Sequence, residues 1–187
     1  RKGLADIVVC GEGEETMAQL VSALEHGDGL ASVDGITFQG EAGGIIKTKS
    51  RPLIKDLDSL PFPAWNLFPS SKHYHYNNRY YPYYPIMTSR GCPFDCIYCT
   101  KVVHGYKMRY RSIENVMAEI RFLKDRYKIK ELIIADDNFT QDPKRAEKIF
   151  DRIYEEKLDI KIIFSNGIRS DIYSERLVAK MKRAGVY

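Results

Sequence analysis

Apolar positions in this chain switch between two periods, and the switches mark its elements. Leu4 to Cys10 is a short apolar run (Leu4, Ile7, Val8, Val9) that closes in Gly11-Glu12-Gly13-Glu14. From Glu15 the period lengthens, with Met17, Leu20, Val21 and Leu24 at i, i+3, i+4 and i+7 on one helix face. This predicts a strand, a glycine turn and a helix, with Glu14 and Glu15 suited to the helix N-terminus. The acidic turn disfavours phosphate and its spacing is not a dinucleotide fingerprint, so the residues alone read as a tight turn without a ligand. Gly35–Phe38 and Ile45–Lys49, set around Gly40, Gly43 and Gly44, predict a β-hairpin. Pro52 to Pro63 mixes Leu, Asp and Pro with no helical period, which predicts an extended linker and a domain boundary nearby.

Beyond residue 85 the two periods repeat in order. Pro85–Arg90 is a short strand feeding a cysteine-rich loop. Ser112 is a good N-cap for a helix whose core face carries Ile113, Val116, Met117, Ile120, Leu123 and Tyr127. A buried strand, Leu132–Ala135, ends in Asp136-Asp137-Asn138. Asp142 then caps a helix with Pro143 at its first position and Ala146, Ile149, Phe150 and Ile153 as its stripe. A third strand, Ile160–Ser165, ends in Asn166-Gly167-Ile168-Arg169. A third helix runs from Ser174 through Leu177, Val178 and Met181 to Gly185, and Val186-Tyr187 begin a fourth strand. Three such units with continuous apolar strands imply an α/β fold with a parallel sheet and right-handed crossovers. Ligands of such sheets, and of β/α barrels, sit at the carboxyl ends of the strands. The cysteine loop, Asp136 with Asp137, and Asn166 with Arg169 are all expected there, on one rim.

Composition narrows the class. With 187 residues and 44% hydrophobic content, the chain is one domain or one and a half with a real core. A balance of 29 basic against 25 acidic residues, net +4, is too mild to imply a nucleic-acid partner. No apolar run approaches the roughly 18 residues of a membrane span, so no membrane partner is expected. Four cysteines, three of them clustered, suit a reducing cytoplasm better than a disulfide scaffold. The chain starts without Met and reads as a piece of a longer protein. Between His73 and Pro85 lie Tyr74, Tyr76, Tyr80, Tyr81, Tyr83 and Tyr84 with His73, His75 and Arg79. These side chains pack over one end of the following domain or stack on a planar ligand. Trp65 reads as a linker residue packed on a domain. The basic run Lys101, His104, Lys107, Arg109 and Arg111 is a solvated face or a contact for an anionic substrate.

The densest chemistry is Gly91-Cys92-Pro93-Phe94-Asp95-Cys96-Ile97-Tyr98-Cys99, spaced C-x3-C-x2-C. Thiolates this close are a metal or cluster site. Iron–sulfur clusters usually take four cysteines, and this loop supplies three; Cys10 reads as a small buried residue elsewhere. Cys92, Cys96 and Cys99 would then leave one iron open. The rival is a Cys3His zinc site completed by His104, in a non-catalytic binding module.

The loop, with Tyr98 as the aromatic before its last cysteine, resembles the signature of the radical S-adenosylmethionine superfamily. The resemblance covers roughly Tyr84 to Tyr187. It implies the first three of about six βα units of a partial β/α barrel. It also implies a 4Fe–4S cluster on Cys92, Cys96 and Cys99 whose open iron binds S-adenosylmethionine and cleaves it reductively to a 5′-deoxyadenosyl radical. By the same resemblance, the backbone at Tyr98 touches the adenine, Asp136 or Asp137 holds the methionyl amine, and Arg169, with Asn166 beside it, meets the carboxylate. Residues 1–50 are similar to the end of a Rossmann-like cobalamin-binding domain with its hairpin, followed by a Tyr-rich linker over 51–84 and the radical core over 85–187. Implied partners are a small-molecule substrate and an electron donor such as a flavodoxin or ferredoxin. Cobalamin, and methyl transfer that uses it, belong to the full-length parent.

Overall fold

The computed structural model describes residues 5–68 and 78–187. The chain forms two compact units, Arg1–Lys55 with Phe94–Tyr106, and Asp56–Pro93 with Lys107–Tyr187.

In the first unit, strand β1 (Ile7–Val9) leads into helix α1 (Glu14–His26), and β2 (Ile36–Gln39) and β3 (Ile45–Lys47) form the expected hairpin. The three strands make an antiparallel sheet in the order β1-β2-β3. Its core is Leu20, Ala23, Val33 and Ile36, flanked by Ile7, Val9, Leu30 and Phe38. The buried side of α1 differs from the expected stripe. Thr16, Leu20 and Ala23 face inward, whereas Met17, Val21 and Leu24 are exposed. The residues that decide this are small: Thr16 and Ala23 let the helix lie close on a three-stranded sheet. Arg51 Nε then donates to Thr16 Oγ1 at 2.9 Å. Cys10, expected buried, is exposed.

In the second unit, β4 (Tyr83–Ile86), β5 (Ser89–Arg90) and β6 (Arg109–Tyr110) precede helix α2 (Ile113–Tyr127). Then come β7 (Glu131–Ile134), α3 (Pro143–Glu155), β8 (Lys161–Phe164) and α4 (Glu175–Ala184). β4, β7 and β8 are parallel neighbours in chain order, with Tyr83, Glu131 and Lys161 in one row. Val186 extends the series through a parallel bridge to Ile162. The helix starts follow local chemistry: Ser112, Asp142 and Ser174 each accept the N–H of the residue three along. Apolar faces of α2, α3 and α4 meet the sheet in one core that includes Met117, Leu123, Leu132, Ile134, Phe139, Phe150, Ile162 and Leu177.

The expected linker is not bare. Leu57 is buried in the second unit and Ile54 in the first. Trp65 packs edge-on against Tyr84 with ring centres 5.1 Å apart, and joins the second core. Of the Tyr-rich stretch, His73, Tyr74, His75 and Tyr76 lie outside the described residues. The rest packs: Tyr80 meets Tyr187, Tyr81 meets Tyr83, and Tyr84 meets Tyr127. At the amino end of β7, fully buried Glu131 accepts from Asn78 Nδ2, the Tyr80 N–H and the Tyr187 hydroxyl.

Candidate functional site

The carboxyl ends of β4, β7 and β8 carry the second unit's polar cluster. Past β7 the chain presents Asp136, only 2% exposed. Its carboxylate accepts the Thr88 N–H, the Thr88 hydroxyl and the Ser89 hydroxyl, each at 2.6 Å. Thr88 and Ser89 are themselves buried. From the first turn of α3, Arg145 reaches the same point, donating to Thr88 Oγ1 at 3.2 Å and to the carbonyls of Thr88 and Arg111 at 2.9 and 3.0 Å. Its guanidinium lies 5.1 Å from the Tyr110 ring centre. Burial pushes the Asp136 carboxyl above the usual carboxylate range, against the hydrogen bonds from Ser89 and Thr88 and the charge of Arg145. Burial likewise draws Arg145 down, with Asp136 opposing. This network ties β4's exit to β7's exit and to α3. Thr88, Ser89 and Arg145 were not singled out from sequence. Arg145 did leave a signal, since it stands four positions before Ile149 on the apolar face of α3.

The other expected residues occupy distinct places on this rim. Asp137 is exposed, and its Oδ2 accepts the Gly91 N–H at 3.1 Å. Gly91 has φ 89°, a backbone that glycine adopts without strain, directly before Cys92. Asp137 therefore holds the chain where the cysteine loop begins. Asn166 Nδ2 donates to the carbonyls of Ala135 and Asp136, both at 3.2 Å, and so ties the end of β8 to that of β7. Arg169 forms a two-point pair with Asp171 through Nε at 3.0 Å and Nη2.

Along the chain, Cys92 belongs to the second unit and Cys96 and Cys99 to the first. All three are free thiols, Cys92 and Cys96 half-buried and Cys99 exposed. The Cys99 N–H bonds to the Cys96 carbonyl at 3.0 Å, a tight turn that leaves Ile97 and Tyr98 pointing into solvent, Tyr98 89% exposed. Among the described residues no set of three or more His, Cys, Asp or Glu side chains is gathered for a metal ion. The donor chemistry nonetheless fits an iron–sulfur cluster, with three unpaired thiols on a short loop and no fourth cysteine beside them. His104, the fourth ligand of the zinc alternative, instead meets buried Glu12 at 3.1 Å. The basic run is a solvated face only in part, with Lys107 exposed. Arg109 is buried, and Arg111 pairs with buried Glu119 and donates to the Met87 carbonyl at 3.0 Å. Burial raises the Glu119 carboxyl, with Arg111 pulling it back.

Residues 86–187 match the Radical SAM superfamily. The chain is 38% identical over 183 residues to an uncharacterized methyltransferase of Pyrococcus horikoshii, covering 97% of this chain and 39% of that protein. It is 32% identical over 181 residues to the anaerobic magnesium-protoporphyrin IX monomethyl ester cyclase of Synechocystis, covering 97% and 36%. The chain thus spans about two fifths of the length of these curated relatives. Its fold resembles the radical S-adenosylmethionine methyltransferase TsrM of Kitasatospora setae. The TM-score is 0.72 at 16% identity, over 97% of this chain and 36% of that one, in a structure with tryptophan substrate and a SAM analog bound. A second TsrM structure, with cobalamin and a [4Fe-4S] cluster bound, gives a TM-score of 0.68, again at 16% identity and over 97% and 36% of the two chains. No helix among the described residues is long and apolar enough to cross a membrane.

Proposed function

The chain belongs to the radical S-adenosylmethionine superfamily, and from that premise we propose that Cys92, Cys96 and Cys99 hold a 4Fe–4S cluster with one iron left for S-adenosylmethionine. The observation that carries the reading is the set of three free thiols spaced C-x3-C-x2-C within the matched segment, with no fourth cysteine at hand. When bound, the cluster supplies one electron to the sulfonium of S-adenosylmethionine, releasing methionine and a 5′-deoxyadenosyl radical.

The protein's own residues orient and enclose. Asp136, Arg145, Thr88 and Ser89 make a buried brace under the exit of β4, and Asp137 fixes the Gly91 amide one residue before the first thiol. A brace of this kind holds ligand positions before the cofactor arrives. Exposed Tyr98 offers its backbone to the adenine. Asp137 is the more available of the two acids for the methionyl amine, because Asp136 is spent on three buried donors. Arg169, now forked on Asp171, would exchange that carboxylate for the methionyl one, a geometry that guanidinium suits. The core housing these groups is read as the first three βα units of a partial β/α barrel. In support, β4, β7 and β8 follow one another in chain order, with Val186 continuing the series.

For the full-length protein we infer a methyltransferase acting on a small molecule, fed by a one-electron donor such as a flavodoxin or ferredoxin and assisted by cobalamin. The similarity to the Pyrococcus methyltransferase and to the fold of TsrM supports this. Anaerobic reconstitution with iron and sulfide should give a brown protein absorbing at about 400 nm, as thiolate-bound iron clusters do. Cys96→Ala should prevent it while leaving the fold intact. A colourless wild-type product sinks the assignment. With dithionite, S-adenosylmethionine should yield methionine and 5′-deoxyadenosine. Labelled methyl groups that never reach any acceptor in the full-length protein would turn the reading toward cyclisation.

A further inference from the structure

The Gly11-Glu12-Gly13-Glu14 turn has no part in the chemistry above, yet it contains a buried acid. The Glu12 side chain is 3% exposed. Its Oε2 accepts the Ile54 N–H at 2.8 Å, and its Oε1 faces His104 Nδ1 at 3.1 Å. A carboxylate only accepts, so the facing ring nitrogen carries the proton. Burying a carboxylate is costly unless its oxygens are hydrogen-bonded, and here both are. Beside the pair, a Cβ on Gly105 would come within 2.9 Å of Leu53 Cδ1. One polar contact and one close approach therefore bring residues 53–54 against residues 104–105. All of these residues lie in the first unit, as do Cys96 and Cys99.

We propose that Glu12 is a positioning residue for the iron–sulfur loop. Its carboxylate pins His104, and so seats the 94–106 segment on the turn after β1 before any iron binds. The acid lies 84 positions upstream of Cys96 (96 − 12), in the part of the chain outside the radical-family match. Retention of the cluster would thus depend on a residue that never touches it. The inference rests on reading Cys96 and Cys99 as cluster ligands.

The test uses full-length protein, wild type and the variants Glu12→Gln, His104→Asn and the double variant. Amide hydrogen exchange of residues 94–106 is measured in cluster-free protein, and loss of iron to a chelator in reconstituted protein. Each single variant should speed both by about ten-fold, the scale of one buried charge-assisted hydrogen bond. The double variant should be no worse than the poorer single, because both remove one interaction. His104→Asn, on the less buried side of the pair, carries the test if Glu12→Gln does not fold. Unchanged exchange over 94–106 overturns the proposal, as does a loosened loop that keeps its iron as long as wild type. A wild-type chain that takes up no iron overturns the cluster assignment itself, with no variant needed to see it, and the proposal falls with it.

Discussion

Replacing Asp136 isolates the buried brace at the exit of β4. Asp136→Ala removes the acceptor for the Thr88 N–H and for two buried hydroxyls, and leaves Arg145 facing the gap. A stranded buried donor costs about 1–3 kcal/mol. The two hydroxyls can turn to other acceptors, but the Thr88 amide cannot. Adding the loss of a carboxylate that offsets buried Arg145, the expected cost is about 3–5 kcal/mol, or about 10 °C in Tm for a chain of this length. That is a large share of a typical domain stability of about 5–15 kcal/mol. Asp136→Asn keeps the shape and one acceptor and should cost less. Its pH dependence is the sharper test. Burial raises the folded-state pKa of Asp136 above its unfolded value, so the group favours folding most below the unfolded pKa of about 3.9. That contribution is lost as pH rises through the raised folded pKa. Asparagine does not titrate, so the wild-type advantage over Asp136→Asn should be largest near pH 4 and shrink toward neutrality. Urea unfolding of both proteins followed by far-UV circular dichroism across that range measures the difference. An advantage that grows with pH would mean that the three hydrogen bonds outweigh burial, and would refute the reasoning.

Other sites give simpler outcomes. Gly185 ends α4 at φ 100°, and a Cβ there would sit 2.3 Å from the Ile160 carbonyl oxygen, so Gly185→Ala should cost at least about 2 kcal/mol in urea unfolding. Asp137→Ala should cost about 1 kcal/mol in urea unfolding, less than Asp136→Ala because the lost bond is only part-buried. It should also speed iron loss to a chelator several-fold, since it frees the Gly91 amide ahead of Cys92. Tyr187→Phe removes one of the donors to Glu131, the hydroxyl at 2.7 Å, and should cost about 1 kcal/mol by chemical denaturation.

What could be read in advance was what short-range chemistry decides. The caps at Ser112, Asp142 and Ser174, the stop at Gly185 and the three strand ends all follow from residues within a few positions of each other. The rim of Asp136, Asp137 and Asn166 was legible for the same reason, because strand ends were. What each residue does there was not. Asp136 and Asp137 are neighbours in sequence, yet one is sunk among hydroxyls and the other holds an amide at the surface, a division set by Thr88 and Gly91 some 46–48 positions away. Helix α1 failed differently. Its most apolar face is not its buried face, because what it packs on is a small antiparallel sheet that accepts Thr16 and Ala23. Glu12 was read only as part of a tight acidic turn without a ligand, since its partners Ile54 and His104 are 42 and 92 positions away.

Trp65 is the only tryptophan in the sequence, and its half-buried ring packs against the second unit's core, in contact with Tyr84 and Phe68. The molecule therefore carries a natural optical label on one of its two units and none on the other. Excited at the red edge, its emission follows the parallel-sheet unit alone, whereas backbone dichroism follows both. Two curves that part company in denaturant would resolve the melting of each unit without any dye. The same indole would also be dimmed by an iron–sulfur chromophore brought within energy-transfer range, making cofactor arrival visible as a loss of light.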